Sequence, residues 1–260
     1  MKKDLATIWA KNSQRALLIV LPIALVVIIP AVYFAAISLL PVEPGARLPQ
    51  ALAALLPDWA GRLDYRQGWL VAFIDLLCPL LFTCVPILTA AASASYAFVN
   101  ERESGTLETL LLTSMDVKAV FNAKVTNCTI LSVLISGVAF VAFGITAVIA
   151  AVFAGVPWFF SFEWLVLLVL VMPVLSLSSV VFVALIVNRV HSTGESLQTM
   201  GYLILPVAAL YLAQFTGILR LNWLVLLVTA LVLGVADVLL FNRAARSFTP
   251  EKLLAEDEPG

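Results

Sequence analysis

Tyr96-Ala-Phe-Val-Asn-Glu-Arg-Glu-Ser-Gly-Thr-Leu-Glu-Thr-Leu-Leu-Leu-Thr-Ser-Met-Asp-Val-Lys-Ala-Val-Phe-Asn-Ala-Lys124 is the stretch that decides how the rest of the chain is read. It concentrates Glu101, Arg102, Glu103, Glu108, Asp116, Lys118 and Lys124 between two long apolar runs. A charged insert between two membrane-length segments lies in water or against a partner, because ionised side chains are costly in hydrocarbon. The composition around it agrees. Hydrophobic residues make up 62% of the 260 positions and charged residues 12%, against roughly 45–50% and about 25% in soluble domains. This length fits one membrane domain, residues 1–260. The net charge of −1 gives no bulk field for nucleic acid.

Outward from the insert, hydropathy divides the chain into an all-α membrane protein with six transmembrane helices. Residues 1–15 read as a short amphipathic helix on the membrane surface, with Leu5, Ile8 and Trp9 on one face and basic residues on the other. Span 1 covers 16–40. It is too long for a signal-peptide core of roughly 7–15 residues, and Pro22 and Pro30 suggest bends. A proline-rich polar loop, 41–68, follows, with room for a short helix over Gln50–Leu56. Span 2, 69–99, would extend ~46 Å against a ~30 Å core, so its end projects, with Ser93, Ser95 and Tyr96 at the exit. Beyond the insert, 100–124, lie span 3 (125–152), an aromatic turn, span 4 (164–187), a polar loop (188–199), span 5 (200–218), span 6 (221–241) and a polar tail (242–260).

The side of each loop follows from the basic residues. Six crossings place both termini and the insert on one side. That side carries eleven of the fifteen Lys and Arg, leaving Arg47, Arg62, Arg66 and Arg220 on the other. The excess marks a cytoplasmic insert and cytoplasmic termini, with loop 41–68 outside.

Within the insert, Ser104-Gly105 offers a sharp turn. Leu107, Leu110 and Leu111 form an apolar ridge at helical spacing, Glu108 sits where a helix dipole favours an anion, and Asp116 is placed to cap the helix entering span 3. Physics alone gives a short amphipathic helix across the cytosolic ends of the spans.

Glu101-Arg-Glu-Ser-Gly-Thr-Leu-Glu-Thr-Leu-Leu-Leu-Thr-Ser114, with Ala123-Lys124 at the base of span 3, resembles the cytoplasmic motif of ABC-2 type exporter permeases. The likeness is close over about fourteen residues, and the six-span layout extends it loosely over the chain. Phe248-Thr-Pro-Glu-Lys-Leu-Leu254 also resembles the family's ending. Met115 stands where the family usually has proline, and Ala123 where it often has glycine. The resemblance implies a coupling helix that docks on a separate ABC ATPase subunit. Glu101 and Glu103 would mark the end of span 2, Gly105 and Thr106 the turn, and Leu107, Glu108, Leu110, Leu111 and Leu112 the docking surface. It also implies a second permease copy or a related permease, a bacterial cytoplasmic membrane, and ATP and Mg used by the partner.

The chain has no phosphate loop of its own, no H-E-x-x-H and no G-x-S-x-G, so a catalytic centre is not expected in it. His191, in a polar loop, reads as solvated. Cys78, Cys84 and Cys128 read as small buried hydrophobes rather than a metal or disulfide set. Two carboxylates fall within spans. Asp237, near the end of span 6, is expected to snorkel; Asp75, deeper in span 2, is a candidate for the translocation path or for helix packing. Small residues at Ala90/Ala94, Ala91/Ser95 and Ser132/Ser136 permit close helix approach, within the subunit or across a dimer. Two other readings stand beside the exporter: an ion- or proton-coupled secondary transporter built around Asp75 and Asp237, and a membrane scaffold or sensor using loop 41–68.

Overall fold

The computed structural model describes residues 18, 20–42, 46–57, 59, 63–99, 117–156, 160–187, 190, 193–216 and 222–247. All regular structure among them is helical. Six helices are long and apolar enough to cross a membrane: Leu21–Leu39 (α1), Tyr65–Val99 (α3), Val117–Ala154 (α4), Phe162–Ile186 (α5), the sixth-to-seventh helix pair described below, and Trp223–Ser247 (α8). The chain is therefore a multi-pass membrane protein. Helix is the form these apolar runs must take, because hydrocarbon offers no partner for an open backbone N–H or C=O. A short helix, Gln50–Ala53 (α2), sits in the first loop, inside the range expected for it.

Span 5 is built differently from expectation. Thr193–Thr199 (α6) is a helix, although its polar composition reads as loop, and Gly201–Phe215 (α7) follows after Met200. Tertiary packing overrides composition here: Ser196 is buried against Ser95, their hydroxyls 2.8 Å apart, and Leu197 packs into the core. The described part of α4 begins at Val117, so helix is already present in the lead-in to span 3. Residues 1–17 and 100–116, which include the surface helix, Asp116 and the coupling motif, lie outside the described residues.

Helices α3 and α5 form the centre. Their most apolar windows are 67% and 61% buried, whereas the other four spans are at most 22% buried and turn apolar faces outward. Val138, Phe153 and Leu231 are examples of those exposed side chains. Near one end an aromatic cluster fills the centre. Phe82 stands 5.5, 4.8 and 5.6 Å from the ring centroids of Phe140, Phe143 and Trp164. Nearer the other end, Ala90, Ala91, Ala94 and Ser95 are fully buried, together with Ser132 and Ser136. The small-residue spacing thus serves packing within the subunit. Ser95 does not stand at a solvent exit but in the core. Ser132 Oγ is 3.1 Å from Pro86 O and 2.8 and 3.0 Å from the hydroxyls of Thr89 and Ser176, joining α3, α4 and α5. Cys78 and Cys128 are buried and Cys84 half-buried, none of them in a disulfide.

Three spans share one local device. Wide π turns at Ala24–Ile28, Phe73–Leu77 and Leu167–Val171 end where Ile29, Cys78 and Met172 donate to the carbonyl five residues back. Each of those residues immediately precedes a proline: Pro30, Pro79 and Pro173. Proline lacks an N–H and its ring crowds the preceding turn, so the helix widens ahead of it rather than breaking.

Polar contacts clamp the helix ends into two layers. At the loop end, Asp64 and Gln67 form a capping box that starts α3, Asp64 N donating to Gln67 Oε1 at 3.1 Å. The same glutamine amide donates to Ala154 O at 2.9 Å, and Arg66 donates to Leu40 O at 2.6 Å. There α4 closes in a Schellman turn: Val156 N donates to Ala151 O at 2.9 Å, and Gly155 holds φ at 67°. Gly68 is needed for a close approach, since a Cβ there would overlap the Leu48 side chain. At the opposite, insert end, Lys124 Nζ donates to Ala97 O at 3.0 Å, and Phe121 packs on Phe98 and Phe241 at 5.8 and 5.7 Å.

Candidate functional site: a carboxylate-lined cavity at the loop end

The residues expected to couple to an ATPase, Glu101, Glu103, Gly105, Thr106, Leu107, Glu108, Leu110, Leu111 and Leu112, lie outside the described residues. Their anchor points do not. The described part of span 2 closes with a π turn, Ser95–Val99, with Phe98 and Val99 buried. The Lys124 ammonium meets the Ala97 carbonyl within that turn and stands 5.6 Å from the Phe98 ring centroid. The described residues on either side of 100–116 sit in packed helices.

Asp75, the other sequence candidate, lines a cavity of about 300 Å³ at the loop end. Its position follows from the proline device: Asp75 lies inside the π turn Phe73–Leu77 that precedes Pro79. Such turns shift a side chain out of the regular helical register. Glu163, in the first turn of α5, lines the same cavity. Helix α7 contributes Tyr211 and Gln214, three positions apart and so on one face. Asn222 and Leu226 come from the start of α8, and Leu56 and Trp59 from the first loop.

Hydrogen bonding at this cavity is incomplete. The Tyr211 hydroxyl and Gln214 Oε1 are buried without a hydrogen-bond partner. Thr83 stands beside that hydroxyl; its proton goes to Leu80 O at 2.8 Å, which leaves its oxygen able to accept from Tyr211, so Gln214 Oε1 is the clear orphan. Buried polar atoms are usually satisfied, which makes the unpartnered Gln214 Oε1 an exception on this wall.

Asp237 behaves otherwise. It does not snorkel, as its position near a span end suggested. It is 2% exposed and its Oδ2 accepts from Ser178 Oγ at 2.9 Å. The close packing of α5 on α8 turns this carboxylate inward, where a serine hydroxyl replaces headgroup and water.

No family model, curated protein or solved structure matches this chain.

Glu163, Tyr211, Gln214 and Asn222 were not singled out by sequence. A signal existed for Gln214, a long polar amide within the apolar run Leu203–Phe215. For Glu163 and Asn222 there was none, because polar residues at span ends are ordinary. A second, larger hollow of about 1060 Å³ opens between α1, the start of α3 and the end of α4. Phe34, Ile149 and Phe153 wall it, and Arg66 and Gln67 stand in its lining. Its polar groups are already used in the end clamps.

Proposed function

We propose that this chain is the membrane-spanning permease subunit of an ATP-driven exporter of the ABC-2 type, working with a separate ATPase subunit and a second permease copy or a related permease. The observation that carries the reading is the insert Glu101–Ser114 with Ala123-Lys124, placed between spans 2 and 3 of a six-helix chain. The end clamps support it. A lever transmits force only if its ends are fixed to elements that move as bodies, and 100–116 hangs from Ala97–Val99 on one side and Phe121–Lys124 on the other. Closure of an ATP-bound ATPase pair would pull the insert and rock α3 and α4 together. The distribution of basic residues supports a cytosolic insert and cytosolic termini in a bacterial inner membrane. ATP and Mg belong to the partner, and no reaction is assigned to this chain itself.

The test is reconstitution. Proteoliposomes holding the chain and its companion ATPase are expected to show nucleotide hydrolysis that rises on addition of the permease and falls with Leu111→Asp. Hydrolysis indifferent to both would remove the reading. A cation-coupled secondary transporter is the second reading, favoured by the buried Asp237 and by the cavity around Asp75. Uptake driven by an ion gradient in liposomes without ATPase would select it.

A further inference from the structure

The cavity around Asp75 has a composition that selects a class of ligand, independently of what drives transport. Every orphaned or unpaired group on its wall can accept a hydrogen bond. Asp75 and Glu163 bring two carboxylates, and among the described residues no cation pairs with either. Gln214 Oε1 has no partner although Gln214 is only 9% exposed. Apart from Ser161, Asn222 and the Tyr211 hydroxyl, the remaining wall is apolar and aromatic, with Trp59 and Trp164 among its lining. A cation with several N–H donors can meet both carboxyl groups and the orphan Gln214 oxygen at once.

We propose that this cavity is a binding site for a small organic ammonium, its nitrogen held by Asp75, Glu163 and Gln214 Oε1 and its apolar body against Trp59 and Trp164. Size agrees: the cavity's roughly 300 Å³ is about twice the ~150 Å³ that holds a benzene molecule in an apolar protein cavity. One ring with a short aminoalkyl arm fits such a space. Aromatic faces add cation–π attraction for the same charge. A metal ion fits less well. Among the described residues no three His, Cys, Asp or Glu side chains converge, and hard divalent cations require about six or more oxygen ligands.

The experiment uses the full chain in phosphatidylcholine nanodiscs with radiolabelled 2-phenylethylammonium, competed by 2-phenylethanol, sodium or calcium. Binding is measured for the unaltered protein and for Asp75→Asn, Glu163→Gln and Gln214→Leu. The expected result is saturable binding that 2-phenylethanol does not displace. Each carboxylate variant is expected to weaken it at least about tenfold, the loss typical of a hydrogen bond to a charged group. Gln214→Leu, which leaves both charges in place, is expected to weaken it about three- to tenfold. Should Asp75→Asn fail to assemble, judged by size-exclusion profile and helical circular dichroism, Glu163→Gln and Gln214→Leu decide. Three results overturn the proposal: displacement by the alcohol as effective as by the amine, unchanged binding in assembled variants, or displacement by micromolar sodium or calcium, which would make the site an inorganic cation's.

Discussion

Lys124→Met removes a charge from the base of the insert and little else. The ammonium donates to Ala97 O at 3.0 Å and sits 5.6 Å from the Phe98 ring centroid. A hydrogen bond from a charged donor contributes about 1.5–3 kcal/mol, and a cation–π contact at a wet site about 0.5–1 kcal/mol. Lys124 is half-buried, so water competes and the lower ends apply. Methionine retains the apolar stem and its packing. The expected local loss is therefore about 2 kcal/mol, or roughly a 30-fold larger population of the opened last turn of α3. Hydrogen exchange read by mass spectrometry on the amides of Phe98 and Val99 measures it. Exchange there is expected to quicken roughly 30-fold, while the aromatic cluster around Phe82 keeps its protection. Lys124→Arg, which restores a donor and a cation, is expected to recover much of the difference. If Lys124→Met left the exchange of Phe98 and Val99 unchanged, the tie between Lys124 and span 2 would have no energetic content, and the clamped-lever picture would lose its anchor.

Phe82→Ala empties the centre of the aromatic cluster. Removing a phenyl ring leaves on the order of 100 Å³, which at ~24 cal/mol per Å³ costs about 2.4 kcal/mol. In lipid the transfer term is small, so a total of about 2–4 kcal/mol is expected from steric-trapping or detergent-unfolding measurements. A double-mutant cycle of Asp237→Asn and Ser178→Ala is expected to give a coupling of about 1 kcal/mol, within the range for polar pairs between membrane helices. Additive effects would show that the 2.9 Å contact contributes nothing. Gly45→Cys is expected to react with an impermeant maleimide added outside intact cells, and reaction only after permeabilisation would invert the side assignment.

Much of the architecture was legible because hydrocarbon imposes a simple rule: a run of about twenty apolar residues becomes a helix. The six spans and the inward use of Ala90, Ala94, Ser132 and the cysteines follow from that rule and from residue size. The misreadings share a cause. Thr193–Thr199 looked like loop because its polar residues were read singly, whereas Ser196 and Leu197 find partners on span 2. Asp237 was expected at the headgroups because its depth was known and its facing was not. A hydrophobic run has no clear amphipathic face to fix rotation, so which residues point inward is settled by neighbours. The cavity is the extreme case. Asp75, Glu163, Tyr211 and Gln214 come from three helices separated by up to 139 positions, and no local pattern links them. The π turns were half legible: Pro30 pointed to a bend in span 1, whereas Pro79 and Pro173 were not singled out, and a widened turn takes the place of the bend.

The account's central claim is that energy enters through the insert from a companion protein. Affinity purification of the tagged chain from its native membranes, run side by side with Leu111→Asp, tests it most directly. The predicted result is an ATP-hydrolysing subunit in near-equal amount with the unaltered chain and its loss with the variant. An equal yield of that subunit with both, or a purified chain that moves cargo with no nucleotide-hydrolysing companion, would contradict it.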